Sequence, residues 1–268
     1  MQSYVLVPSQ GTETADEWMR LGLEASTGTR LVEDRMLVFK EQENANVTPD
    51  EAWESMPIPG HFYSFAALFA LNELGAGNGR SCLVIGSPLF EAVALQGVGW
   101  EVSYLDVRVP PMNGRCVVGD AVKIPFASES FDAVSTTCVL CHVGLGRYGD
   151  PEVENGDVLA LREIHRVMKP EAVAVVMFGP SFLQPVSYRM GTVHRVYGLQ
   201  DPVGMAVDAG FTPAVIGVWS NGKWLTEPEI ASQTMLNERG AKLSAWGSYS
   251  YLFMKLEKPR EASCNHTC

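Results

Sequence analysis

Apolar residues along this chain fall into two alternating patterns. Short unbroken runs close on a glycine or an acid, and longer stretches repeat at helical spacing. Phe62, Phe65, Ala66, Phe69, Ala70 and Leu74 share one helical face, and Gly75, Gly77 and Gly79 end it. Ser81–Ile85 is then a buried strand closed by Gly86. Ser87-Pro88 suits the cap and first turn of a helix, which the pattern carries to about Gln96. Trp100–Leu105, Cys116–Val118, Phe131–Val134 and Ala172–Phe178 read as further buried strands. A helix precedes the last of these and stops at Lys169-Pro170. Beyond lie an aromatic-rich insert (Gly179–Gly198), a helix over Pro202–Ala209, and two more strands, Pro213–Trp219 and Ser248–Glu257. This order predicts an α/β fold, a Rossmann-like doubly wound sheet of seven strands. Pro110–Gly114 is too short for a crossover helix, so the second and third strands are joined by a turn.

The chemistry gathers at the strand ends. Strand, Gly86 and helix start follow in immediate order, which turns free backbone N–H groups toward an anionic ligand group. Asp106 lies 20 residues after Gly86, the interval at which an acid can accept both hydroxyls of a ribose. Asp120 stands at the end of the next strand. The plain alternative is that each aspartate caps the turn that follows it.

Three segments resemble the class I S-adenosylmethionine-dependent methyltransferases. Gly119-Asp120 matches the acid after the family's third strand. Ile124-Pro125-Phe126 with Ser130–Val134 matches the segment entering the fourth. Glu163–Pro170 matches the helix before the fifth, although Glu171-Ala172 replaces the usual glycine pair. The stretch from Gly146 to Pro151, with Asn155-Gly156-Asp157, is also similar to methyltransferase-like proteins described from nematodes. The resemblance implies S-adenosylmethionine as cofactor and a mostly parallel sheet with an antiparallel C-terminal strand. It assigns Gly86 and Ser87 to the methionine end of the cofactor, Asp106 to the ribose, and Asp120 with Ala121 to the adenine, and it adds Thr137 at the fourth strand's end. Substrate-facing groups then belong to the loop that ends at Asp150. His142 is the first candidate base, followed by Tyr148 and Asp150. A packed core histidine is the plain reading of His142. His61, Tyr63 and His194 are further groups able to enter from the flanking segments, and His165 reads as a solvated helical histidine. The family's G-x-G-x-G is here Gly86-Ser87-Pro88-Leu89-Phe90, with Phe90 where space is normally left.

Composition narrows the partners. The net charge of −11 argues against nucleic acid and leaves a small molecule as the expected substrate. Arg162, Arg166 and Lys169 form the densest basic group, late in a helix where they complement its dipole. No signal peptide or membrane span is legible, and six cysteines beside apparent core strands fit a reducing cytoplasmic setting. Oligomeric state is not legible. Cys138, Cys141 and His142, with the Cys264–Cys268 tail, are potential zinc ligands, but the buried-thiol reading prevails and no metal is assigned. Residues 1–60 are expected to form an N-terminal cover, 61–258 the methyltransferase-like domain and 259–268 a flexible tail. Two alternatives to methyl transfer stand. One is a non-catalytic binding or scaffold protein on the same fold. The other is a nicotinamide-dependent oxidoreductase, which the missing G-x-G-x-x-G disfavours.

Overall fold

A computed structural model describes residues 62–86, 89–108, 115–181, 188–190, 194–197, 201–220, 223–224 and 250–260. Among the described residues four helices flank the main sheet: α1 (Phe62–Leu74), α2 (Leu89–Gly97), α3 (Gly156–Val167) and α4 (Asp201–Asp208). Its strands are β1 (Ser81–Ile85), β2 (Glu101–Asp106), β3 (Arg115–Val118), β4 (Phe131–Thr137), β5 (Met168–Ser181), β8 (Thr212–Ser220), β9 (Lys223–Trp224) and β10 (Ser250–Glu257). They lie in the order β3-β2-β1-β4-β5-β10-β8-β9. β1 to β5 pair in parallel, and β10 runs antiparallel between β5 and β8. The predicted seven strands are all present, and two-residue β9 adds an eighth at the edge. Within the aromatic insert β6 (Tyr188–Met190) and β7 (His194–Val196) form a separate hairpin that the sequence pattern did not reveal.

Alternation along β1 sorts the core into two layers. Cys82 and Val84 face α1 and α2, packing with Ala70, Leu95 and Trp100. Leu83 and Ile85 face α3 and α4, packing with Leu161, Ile164 and Ala206. From β1 the chain moves outward to β2 and β3, then returns across β1 to β4. The strand ends therefore part beside β1, where an open α/β sheet places its ligands.

Two expectations need correction. Lys169-Pro170 does not end the helix; α3 stops at Val167 and Lys169 already belongs to β5. Pro170 is tolerated near the start of a strand, before its N–H is needed. His165 is not a solvated residue. Its ring meets Phe211 edge-on at 5.0 Å, and a Cβ on Gly210 would lie 3.0 Å from its Nε2.

The basic group at the end of α3 does more than complement a dipole. Arg166 donates to the carbonyls of Ile124 and Phe126, both at 2.9 Å, and to Glu163 at 2.7 Å. Glu163 in turn accepts the Ile124 N–H at 2.9 Å. The Arg166 guanidinium holds the Glu163 carboxyl below its ordinary range. This clasp fixes the turn that follows Asp120. Lys169 reaches Asp132 at 2.8 Å.

Candidate active site

The ends of β1, β2, β3 and β4 enclose a cleft with about 780 Å³ of free space, its open mouth included. Gly86, Asp106, Asp120, Ala121, Thr137, His142, Tyr148 and Asp150 all line it. Ser87, Pro88 and the Phe90 side chain lie outside the described residues, as do His61 and the side chains of Tyr63 and His194.

Gly86 takes φ +53, a left-handed conformation that suits glycine. Its N–H bonds the Leu105 carbonyl at 2.7 Å, tying the end of β1 to β2. A Cβ there would press within 3.2 Å of the Val139 side chain. Asp106 is the last residue of β2 and is buried. Its Oδ1 accepts the Arg108 N–H at 2.9 Å, with the Arg108 guanidinium 3.6 Å away. Asp120 follows β3, and its Oδ1 accepts the Val122 N–H at 3.1 Å. Each aspartate thus does cap a turn. Among the described residues neither Oδ2 has a hydrogen-bond partner, and both aspartates line the same cleft. Ala121 is buried beside them and supplies a small apolar wall.

β4 carries the floor. Ser135 and Thr137 both donate to the buried carboxylate of Glu91 in the first turn of α2. Glu91 had no sequence signal beyond an acid at a helix start. Beside it, burial first and the Glu91 charge second push the Cys82 thiol up.

Past β4 the chain turns sharply at Cys138, whose φ is +58. The loop that follows is held from several directions. Asp150 accepts N–H groups from Gly144 (3.2 Å), Gly146 (3.3 Å) and Tyr148 (3.0 Å), so both its oxygens organise the loop. Tyr148 is flanked by cations, with the Arg108 and Arg147 guanidiniums 4.8 and 5.2 Å from its ring centre. His142 meets the same ring edge-on at 5.6 Å, and its Nδ1 lies 3.4 Å from Arg147. His142 is half-buried and open to the cleft, unlike a packed core histidine.

Arg195, from β7, reaches the same loop. It donates to the Val143 carbonyl at 2.7 Å and the Leu140 carbonyl at 3.4 Å, and its backbone N–H bonds the Cys141 carbonyl at 2.8 Å. Asp157 of α3 balances the guanidinium at 3.5 Å and accepts the Tyr197 hydroxyl at 3.0 Å. Burial, then the Asp157 charge, raises the Tyr197 phenol well above its ordinary range, so it stays a donor. Nothing in the sequence pattern paired the insert with this loop.

Comparison with known proteins agrees with this architecture. Residues 72–176 match the family described as "Methyltransferase domain". Demethylmenaquinone methyltransferase of Streptomyces avermitilis is 32% identical over 130 residues, which cover 48% of this chain and 49% of that protein. The same-named protein of Corynebacterium glutamicum is 29% identical over 137 residues, 50% of this chain and 53% of its own length. The chain therefore spans about half the length of these curated relatives. Among solved structures, 1,6-didemethyltoxoflavin-N1-methyltransferase of Burkholderia thailandensis superposes with a TM-score of 0.54 at 12% identity, covering 97% of this chain and 100% of its own. The [4+2]-cyclase SpnF superposes with a TM-score of 0.52 at 15% identity, covering 92% and 97%. At such identities the likeness is one of fold.

Proposed function

Since the chain belongs to the class I S-adenosylmethionine-dependent methyltransferase superfamily, we propose that it transfers a methyl group from S-adenosylmethionine to a small-molecule acceptor. The observation that carries this reading is the pair of Oδ2 atoms, from Asp106 and Asp120, on one cleft with Gly86, Ala121 and Thr137. In the proposal Asp106 accepts the ribose hydroxyls and Asp120 the adenine amine, and Ala121 leaves room for the base. Gly86 and Ser87 serve the methionine end. When bound, the cofactor supplies an electrophilic methyl group on a sulfonium.

The chain's own work is to position the acceptor in line and, for a hydroxyl or amine, to take its proton. His142 is the base in this reading, since its ring opens on the cleft. Tyr148 orients that ring, and Asp150 serves through the loop it organises. The acidic chain supports a small acceptor over nucleic acid. No helix among the described residues is long and apolar enough to cross a membrane. The cytoplasmic setting is proposed on the cysteines beside core strands. Residues 1–60 are taken as a cover, 61–258 as the catalytic domain and 259–268 as a tail.

Isothermal calorimetry with S-adenosylmethionine and S-adenosylhomocysteine tests the cofactor. Binding by both is expected, and absence of heat and of any thermal shift would overturn the reading. His142→Gln is expected to slow turnover by about 100-fold with cofactor affinity little changed. A second reading, a binding protein that kept the fold, is favoured by Gly86-Ser87-Pro88-Leu89-Phe90, where a single glycine of the usual motif remains. Cofactor binding without turnover on any acceptor would select it.

A further inference from the structure

Cys138 and Cys141, which the proposed methyl transfer does not use, form a cluster with His142, whose ring as a metal ligand would no longer be the free base of that reading. The two sulfurs and an imidazole nitrogen all lie within 4.8 Å of one another. In a tetrahedral zinc site, with bonds of about 2.1–2.3 Å, ligand atoms stand about 3.7 Å apart. Small side-chain rotations therefore close the gap.

Three further observations point to this cluster. Cys138 adopts φ +58, a left-handed backbone that costs a residue with a Cβ about 1–2 kcal/mol. That turn brings its thiol back toward Cys141 and His142. Opposite it stands Gly179 of β5, where a Cβ would lie 3.2 Å from the Cys138 sulfur and 2.5 Å from the Tyr251 ring. The glycine leaves the sulfur its room. Finally, the Cys141 thiol donates to the Cys138 carbonyl at 3.4 Å, which holds its sulfur beside that residue.

Charges of both signs surround the cluster. Asp106, Asp120 and Asp150 line the adjoining cleft, with Arg108 beside Asp106 at 3.6 Å. Arg195 lies behind the loop, with its guanidinium countered by Asp157. Arg147 is the opposing group, 3.4 Å from His142 Nδ1, but its side chain is exposed and can swing outward.

We propose that Cys138, Cys141 and His142 bind one zinc ion, with a fourth position open to the cleft. The openness follows from placement, because Cys138 and His142 both line that cleft. Three protein ligands and an exchangeable position are what a zinc ion needs to take water or a donor atom of a second molecule. In this proposal the two thiols serve as ligands, where the sequence alone favours buried thiols.

The test uses the full chain, reduced and stripped of metal, titrated with Zn²⁺ against a chromophoric chelator and separately with Co²⁺. One equivalent is expected to bind, and the cobalt form is expected to show thiolate charge-transfer bands and tetrahedral d–d absorption. Cys138→Ser/Cys141→Ser should weaken zinc on the order of 100-fold, and His142→Gln at least about tenfold. Cys264→Ser/Cys268→Ser should bind as the parent does. Folding of each variant is checked by thermal melting, and the half-exposed His142 variant carries the test if the double cysteine variant does not fold. Three results would overturn the proposal: no zinc on the reduced parent, undiminished affinity in the 138/141 and 142 variants, or loss confined to the 264/268 variant.

Discussion

The two sides of the cleft are built differently. On the β2 and β3 side, each aspartate is fixed by a short bond to an amide two residues on, and each keeps an oxygen for a ligand. On the β4 side, residues 138–150 are fastened by distant parts of the chain, from Arg195 of β7 to Asp157 of α3. A ligand that many relatives share can be met by groups that need only a strand end and a tight turn. A surface particular to one acceptor has no such standard support, and here long-range polar ties supply it.

Breaking the loop side has the largest expected effect. Arg195→Ala leaves the Leu140 and Val143 carbonyls and the Asp157 carboxylate without their cation. It should lower unfolding free energy by about 3 kcal/mol in urea denaturation. A loss below about 1 kcal/mol would mean that the hairpin is not a structural tie. Asp106→Ala should do the reverse. Cofactor affinity should fall by about 10- to 100-fold in calorimetry, with the urea midpoint nearly unmoved. Equal losses from both variants would erase the distinction between the two sides.

Asp150→Asn sharpens the contrast within the loop, because an amide cannot accept from all three N–H groups as the carboxylate does. A destabilisation of about 2 kcal/mol is expected, with cofactor affinity intact. Acid titration probes the opposite edge of the sheet. Burial raises the Asp132 pKa, but the Lys169 and Ser81 hydrogen bonds outweigh it and bring it from 3.8 to about 2. Since the folded value lies below the unfolded one, the stabilisation is present above pH 3.8 and is lost as pH falls toward 2. The contribution is about 1 kcal/mol, allowing for the exposure of Lys169. In Asp132→Asn the acid limb of stability should flatten between those values, and cofactor binding near neutrality should not change.

Legibility in the sequence follows the same division. β1 was read to the residue, and β2, β3 and β4 to within three, because buried parallel strands are short apolar runs ended by Gly86, Asp106 or Gly119. Asp106 and Asp120 could be placed because a strand end is a local event. Arg195, Asp157 and Tyr197 could not, since their partners lie 38 to 55 residues away and no spacing rule joins them. Asp150 lines the cleft, yet its oxygens serve backbone amides that only the folded loop brings near. Glu91 escaped notice because an acid in a first helical turn is ordinary, whereas its two hydroxyl partners come from β4. Nothing in the sequence announces the left-handed backbone of Cys138 at the end of β4.

The sheet order also constrains how the chain can be assembled during synthesis. β10 emerges last among the described strands, yet it is inserted between β5 and β8. Immediately beyond it the ammonium of Lys258 reaches inward to the His165 and Met168 carbonyls, at 3.1 and 2.8 Å. Until the ribosome has released residues 250–258, β8 has no neighbour through which to join the sheet and the end of α3 lacks its cation. Joining of β8 and β9 to the sheet therefore waits for the last strand.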